Sequence, residues 1–345
     1  MRAIRLVRPT SDPGAALDYG SCPDPEPGPG EVLIQVTASA VCRTDLQLVT
    51  GDLPAHKLPV VPGHQVVGRI VALGSDVDSP GVGSRVGLVW QASVCGTCRF
   101  CLSGRENLCA DARFTGWDRD GGYAQLVTAR AGFTHLIPEL GTAFSDGLAG
   151  DVAIAPLLCG GVIGYRSLRV AGIGPASSGA RLGLFGFGAS ASLSIQIARH
   201  FGCRCFVVTR SAAEAERALA LGAEWAGTYD DGIPELLDAA ITFAPVGWIV
   251  ETALKALDRG GTVAINAIHL DGVPPLDYDD LWWERSIRSV ANVTRSDVRE
   301  FLALVGPGGI RTETETMPLS EAATALRRVA AGDVRGAFVL LPPEE

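Results

Sequence analysis

"ARLGLFGFGASASLSIQIARHFGCRCFVVTR", residues 180–210, decides the fold. Leu182–Phe185 is a short apolar run of strand character. Gly186, Gly188 and Ala191 follow with the G-x-G-x-x-G/A spacing. From Ser190 to Phe201, Leu193, Ile197 and Phe201 recur at helical spacing, and Cys205–Thr209 is apolar again. The segment therefore reads as strand, tight turn, helix, strand. Gly186 permits the turn, Gly188 lets backbone approach a pyrophosphate, and Ala191 allows close helix packing. A helix N-terminus directly after such a turn offers free N–H groups and positive dipole to phosphate. The glycine motif alone is weak; between a strand and a helix it points to a dinucleotide. Gly186, Phe187, Gly188, Ala189, Ser190 and Ala191 are the phosphate-binding candidates.

The end of the second strand bears on which dinucleotide. A site for NAD places Asp or Glu there, on the ribose 2′-OH. This chain has Thr209, Arg210 and Ser211. A guanidinium and two hydroxyls suit a 2′-phosphate, so NADP(H) is favoured over NAD(H). Further alternation continues the pattern: a strand is expected over Ala239–Phe243, a helix over Trp248–Leu257, a strand over Thr262–Ile268. The fold class is α/β with a doubly wound Rossmann sheet. Cys203 and Cys205, beside a buried strand, read as small core residues.

The 345 residues allow two domains with real cores, and 47% hydrophobic content excludes a disordered chain. No run of 18 uninterrupted apolar residues occurs, so no membrane partner is expected. The opening MRAIRLVRPTSDPG lacks the apolar core of a secretory leader, so a cytoplasmic setting with reduced thiols is expected. A net charge of −9 with no basic patch argues against nucleic acid.

"SVCGTCRFCLSGRENLC", residues 93–109, holds four of the nine cysteines. In a reducing compartment a disulfide framework is disfavoured. Cys95, Cys98, Cys101 and Cys109 would close all four positions around zinc, which makes such a site structural rather than catalytic. An iron–sulfur cluster is the competing occupant. Arg99 and Arg105 stand near enough in sequence to offset thiolate charge.

Three more residues attract attention: Cys42 in "AVCRTDLQLVTGDLP", His64 in "PVVPGHQVVG" and Cys159 in "IAPLLCGGVIGYRSL". Two Cys and one His make a three-ligand zinc site with an open fourth position. Taken singly, each also reads as an ordinary core residue, and spacing alone does not join them.

Taken together, "GPGEVLIQV", "CRTD", "GDLP", "VVPGHQVVG", "VGSRVGL", "CGTCRFCLSGRENLC", "DGGYA", "APLLC", "FGFGASA", "LDRGG" and "VRGAFVL" resemble the zinc-dependent medium-chain dehydrogenase/reductases, of the bacterial alcohol dehydrogenase type. The resemblance covers essentially the whole chain. It implies a GroES-like, mainly β catalytic domain over 1–155, completed by 290–345, and a Rossmann domain over 156–289, with the active site between them. It also implies a homo-oligomer, dimer or tetramer, acting on a small-molecule alcohol or carbonyl.

Residue by residue, the resemblance makes Cys42, His64 and Cys159 the ligands of a catalytic zinc, and the four-cysteine loop the cage of a second, structural one. Thr44 matches the hydroxyl that hydrogen-bonds substrate oxygen, and Asp45 the carboxylate that orients the ligating His. Arg43 matches a pyrophosphate contact, Trp90 and Trp117 resemble pocket walls, and Ala267, Ile268 and Asn292 should pass near the nicotinamide. Three positions depart from the family pattern. Gln65 replaces a common Glu, Gln47 a common relay His, and Ala337 a C-terminal Arg, with Arg335 nearby but not equivalent. The implied activity is zinc-dependent hydride transfer between NADP(H) and an alcohol, aldehyde or ketone. Gln47 keeps a C=C or C=N reductase as the alternative enzyme. A non-catalytic NADPH-binding sensor has no need of an open metal position.

Overall fold

A computed structural model describes residues 1–141 and 144–343, in two compact units. The first comprises 1–159, 293–306 and 311–345; the second comprises 160–292 and 307–310. The expected domain boundaries were 155/156 and 289/290. The chain instead leaves the first unit after Cys159 and returns at Val293, and Pro307–Ile310 belongs with the second unit.

The first unit is built on a mainly antiparallel sheet. Its strands run in the order Thr314–Pro318, Ala337–Leu341, Glu31–Ala40, Gln65–Leu73, Arg85–Leu88 and His135–Leu136. Leu126–Arg130 adds alongside Glu31–Ala40. Val32, Ile34 and Val36 alternate inward along the long strand and meet Val66, Ile70 and Val86. Each fully buried apolar side chain of this kind contributes about 1.5–3 kcal/mol. A second apolar cluster joins Leu46, Leu48 and Val49 of the helix Arg43–Thr50 to Ile4, Leu6 and Tyr123. That packing fixes the helix whose first turn carries Thr44 and Asp45.

The second unit holds six parallel strands in the order Trp225–Gly227, Arg204–Val208, Arg181–Phe185, Leu237–Thr242, Leu257–Ile265 and Ser286–Ser289. The chain order reverses beside Arg181–Phe185, where the carboxyl ends of doubly wound sheets accept ligands. Element positions expected from the sequence hold with shifted ends: the first helix is Ala189–His200 and the second strand Arg204–Val208. The larger correction lies further on. The expected helix to Leu257 is Gly247–Lys255, and the strand expected from Thr262 begins at Leu257 and ends at Ile265. Leu257 is buried and pairs with Leu237, and a register shift beyond that pair carries the strand through Gly260 and Gly261.

The apolar stretch Leu148–Val170 is broken into the helices Leu148–Ile154 and Gly160–Val170 by the 3-10 turn Ala155–Leu158, and 67% of its most apolar window is buried inside the protein.

Candidate metal centre and dinucleotide edge

Cys42 is the N-cap of Arg43–Thr50, with extended backbone. Its sulfur accepts the Thr44 N–H at 3.5 Å, while Asp45 Oδ2 accepts the Cys42 N–H at 2.8 Å. This is a capping box made of Cys and Asp, and Gly51 ends the helix at φ +88°. Local helix chemistry thus sets the orientation of both residues. Asp45 Oδ1 meets His64 Nδ1 at 3.1 Å, with both side chains almost fully buried. His64 lies just ahead of the strand Gln65–Leu73. Cys159 follows the 3-10 turn Ala155–Leu158, and its sulfur stands 3.9 Å from that of Cys42. The structure therefore brings Cys42, His64 and Cys159 together, their ligand atoms within 4.8 Å of one another.

This cluster fits a metal ion. His64 Nδ1 is committed to Asp45, leaving Nε2 buried with no hydrogen-bond partner among the described residues. Burial opposes a charged imidazole here, but the Asp45 carboxylate overcomes it and holds the His64 pKa at about 10. A proton or a metal ion on Nε2 would give this nitrogen the partner it lacks. Cys42 and Cys159 share a proton: the neighbouring thiol holds Cys42 well below the usual thiol range and Cys159 well above it. Thr44 Oγ1 lies 3.6 Å from the Cys42 sulfur, buried at the same spot.

The loop cysteines form a second cluster, also within 4.8 Å. Cys98 to Cys101 spans 3.6 Å, Cys95 to Cys101 3.9 Å, and Cys95 to Cys109 3.5 Å. Zinc–sulfur bonds of about 2.3 Å in a tetrahedron require sulfurs about 3.8 Å apart. Sulfurs this close would surround a single ion and leave no room for a cluster of several iron atoms. Backbone N–H groups of Thr97 and Cys98 lower the Cys95 pKa to about 6, favouring the thiolate that binds metal. Arg99 and Arg105 lie over the Phe100 ring, at 4.6 and 5.5 Å, so their charge is turned to an aromatic face.

Trp90 meets His64 edge-on at 4.7 Å between ring centroids. Trp117 lies 5.7 Å from Trp90, and two residues that the sequence did not reveal extend this wall. Phe114 packs on both indoles at 5.4 and 5.5 Å. His56 stacks on Trp117 at 4.0 Å and shares a 2.9 Å hydrogen bond with Asp118. Pairing of Gln91–Ser93 with Arg113–Phe114 is what places Phe114, and no short motif announces it. Gln65 is buried, its amide donating to the Ala40 carbonyl at 3.4 Å. Gln47 is half-buried, Arg43 exposed. Ala337 starts its strand with its N–H on Glu313, and Arg335 is exposed.

In the second unit Gly186 takes φ +88° right after the strand Arg181–Phe185, and Gly188 is the N-cap of Ala189–His200. A side chain on Gly188 would meet nothing within 4 Å, so its backbone is open to a ligand. Phe187 and Ala191 are buried, while Ala189 is exposed and Ser190 half-buried. Thr209, Ala267, Ile268 and Asn292 also follow carboxyl ends of strands in the same parallel sheet. Ile268 is exposed and Asn292 takes φ +55°. Thr242 and Asn266, not singled out from sequence, lie at this edge as well, with Thr242 Oγ1 and Asn266 Nδ2 buried and unpartnered among the described residues.

The loop after the second strand differs from expectation. Thr209 is fully buried and its hydroxyl bonds the Glu214 carboxylate. Ser211 caps the helix Ala212–Ala220 by accepting the Glu214 N–H at 3.2 Å. Both hydroxyls are thus spent on starting that helix. Arg210 is exposed and makes no ion pair among the described residues.

Comparison with known proteins agrees with this geometry. Residues 28–139 match the alcohol dehydrogenase GroES-like domain, and residues 191–306 the zinc-binding dehydrogenase domain. The chain is 45% identical to "Probable alcohol dehydrogenase AdhA" of Mycobacterium tuberculosis (strain CDC 1551 / Oshkosh), over 99% of this chain and 97% of that protein. Among solved structures, a zinc-binding dehydrogenase of Sinorhizobium meliloti 1021 bound to NADP is 25% identical, with TM-score 0.82 and 99% of both chains covered. Acetophenone reductase of Geotrichum candidum NBRC 4597, in complex with NAD, is 26% identical with TM-score 0.81, over 99% of this chain and 97% of that one.

Proposed function

Because the chain belongs to the zinc-dependent medium-chain dehydrogenase family, we propose that it catalyses reversible hydride transfer between NADP(H) and an alcohol and its aldehyde or ketone. One observation carries this reading: Cys42, His64 and Cys159 converge around a buried, unpartnered His64 Nε2. In this reading they hold one zinc, and the four loop cysteines hold another. Zinc at the three-ligand site supplies Lewis-acid polarisation of the substrate oxygen. Residues at the carboxyl ends of the parallel strands would hold a nicotinamide cofactor, which would supply or take the hydride.

The chain's own residues supply placement and proton handling. Asp45 fixes the ring of His64 through Nδ1. The Thr44 hydroxyl, beside the Cys42 sulfur, hydrogen-bonds the substrate oxygen and takes up its proton's hydrogen bond as an alcohol is oxidised. Gln47 does not titrate, so the proton leaves by a route other than an imidazole at position 47. Trp90, Phe114 and Trp117 offer flat apolar faces near His64, which favours carbonyl substrates carrying an aromatic ring. Arg43, Gly186, Phe187, Gly188, Ala189, Ser190 and Ala191 serve the pyrophosphate, and Ala267, Ile268 and Asn292 the nicotinamide end.

Preference for NADPH over NADH rests on Arg210, exposed just beyond the carboxyl end of Arg204–Val208 and in no ion pair among the described residues, where it would meet a ribose 2′-phosphate. Assembly into a homo-oligomer is supported by Ser286–Ser289, an edge strand beside the half-exposed Trp282 and Trp283. A cytoplasmic setting suits six thiol ligands. Incubation with NADPH and an unsaturated aryl aldehyde tests the reaction class. The allylic alcohol is the expected product; the saturated aldehyde would identify a C=C reductase, the alternative that Gln47 keeps open, and no turnover with any carbonyl would leave a binding protein.

A further inference from the structure

We propose that Tyr123 is a positioning residue of the three-ligand metal centre, its phenol O–H fixing the Asp45 carboxylate that presents His64 to the ion. This rests on reading Cys42, His64 and Cys159 as a metal site. Tyr123 is fully buried, and its O–H donates to Asp45 Oδ2 at 2.9 Å. The same oxygen accepts the Cys42 N–H at 2.8 Å, and the other oxygen meets His64 Nδ1 at 3.1 Å. One buried carboxylate thus receives three donors, two of them from ligand residues.

Tyr123 also shapes the chain that delivers His64. Gly121 N–H bonds Val61 O at 2.7 Å, Gly122 N–H bonds Gly63 O at 2.9 Å, and Tyr123 N–H bonds Pro62 O at 3.0 Å. Its ring lies over the bare Cα of Gly63, which takes φ +94°; a Cβ there would stand 2.3 Å from Tyr123 Cδ1. The residue therefore braces the centre twice, by ring packing on the turn before His64 and by a hydrogen bond to Asp45. Phenylalanine preserves the first and removes the second.

Without the phenol, Asp45 Oδ2 keeps only the Cys42 N–H, and the carboxylate is free to turn toward it and away from His64. Residues that orient metal ligands are worth about 10–100-fold in metal affinity. Tyr123 acts one step further out, so the low end, about tenfold, is expected for Tyr123→Phe.

The test is zinc release from the intact zinc-loaded protein to a chromogenic chelator, with the absorption spectrum of the cobalt-substituted protein beside it. For Tyr123→Phe, one ion should leave about tenfold faster, the ion of the four-cysteine loop should leave at the wild-type rate, and the visible cobalt bands should change. That unchanged second ion reports that the unit is folded. In an Asp45→Asn background, Tyr123→Phe should add nothing, since its effect passes through the carboxylate. Wild-type release rates and an unchanged cobalt spectrum would overturn the proposal, as would equal acceleration of both ions or an additive effect with Asp45→Asn. Zinc content unaltered by Cys42→Ser would overturn the reading of the site itself, and the proposal with it.

Discussion

The sulfurs of Cys42 and Cys159 lie 3.9 Å apart across 117 positions of chain. Two thiols and an imidazole nitrogen without a partner among the described residues meet there, a donor set that one metal cation would satisfy. The loop cysteines bring four more sulfurs together separately, enough to supply all four ligands of a second ion.

Cys42→Ser is expected to remove one zinc and abolish turnover with little change in unfolding temperature. Cys98→Ser should remove the other, lower the unfolding temperature by about 5–10 °C, and leave substantial residual activity. Metal analysis and thermal unfolding of the two variants check the division. One zinc per chain, unchanged in Cys98→Ser, would remove the structural role from the loop.

Gln47 sits half-buried on the helix that starts at Cys42. Gln47→His should introduce a group titrating near neutral pH into the oxidation profile, because imidazole ionises at about 6.5 and Gln does not ionise. The comparison is kcat against pH under conditions where chemistry limits the rate. Superimposable profiles would show that position 47 takes no part in proton exit.

Arg210→Ala should reduce kcat/KM for NADPH by about tenfold to a hundredfold, the worth of one charge-assisted hydrogen bond, with NADH nearly unaffected. Thr209→Asp is expected to be poorly tolerated rather than to reverse the preference, because Thr209 is fully buried against the Glu214 carboxylate. Equal losses for both cofactors would place Arg210 away from the ribose.

Much of this was legible because it is local. The turn at Gly186, the helix after it and the four-cysteine loop each lie in one short segment whose chemistry is self-contained. The three-ligand site was legible only through resemblance, since nothing local links Cys42, His64 and Cys159. Contacts set by tertiary pairing stayed hidden. Phe114 reaches Trp90 through a two-strand pairing, Tyr123 reaches Asp45 from 78 positions away, and Glu214 captures Thr209 through the geometry of a helix cap. A hydroxyl in a loop reads as available until the fold shows what it caps.

His135 gives the fold an acid-sensitive point. Its ring is buried, and burial, with the charges of Arg299 and Arg295 adding, lowers its pKa from 6.5 to about 4. The folded state therefore binds this proton more weakly than the unfolded state. Stability is full above about pH 6.5 and falls as pH drops toward 4, by about 2 kcal/mol at pH 5. Urea midpoints at pH 7 and pH 5 should separate more for the wild type than for His135→Leu. Equal separations would show that His135 is not the group that titrates.

The central claim is that the three-ligand site carries hydride transfer to a carbonyl. The most direct measurement is turnover of an aryl aldehyde with NADPH by zinc-loaded wild type and Cys159→Ser, with the product identified. The account predicts the corresponding alcohol from the wild type and a loss of at least about a thousandfold in Cys159→Ser, the scale of a lost electrophilic group of about 4 kcal/mol. Undiminished turnover in a Cys159→Ser protein lacking that zinc would contradict it.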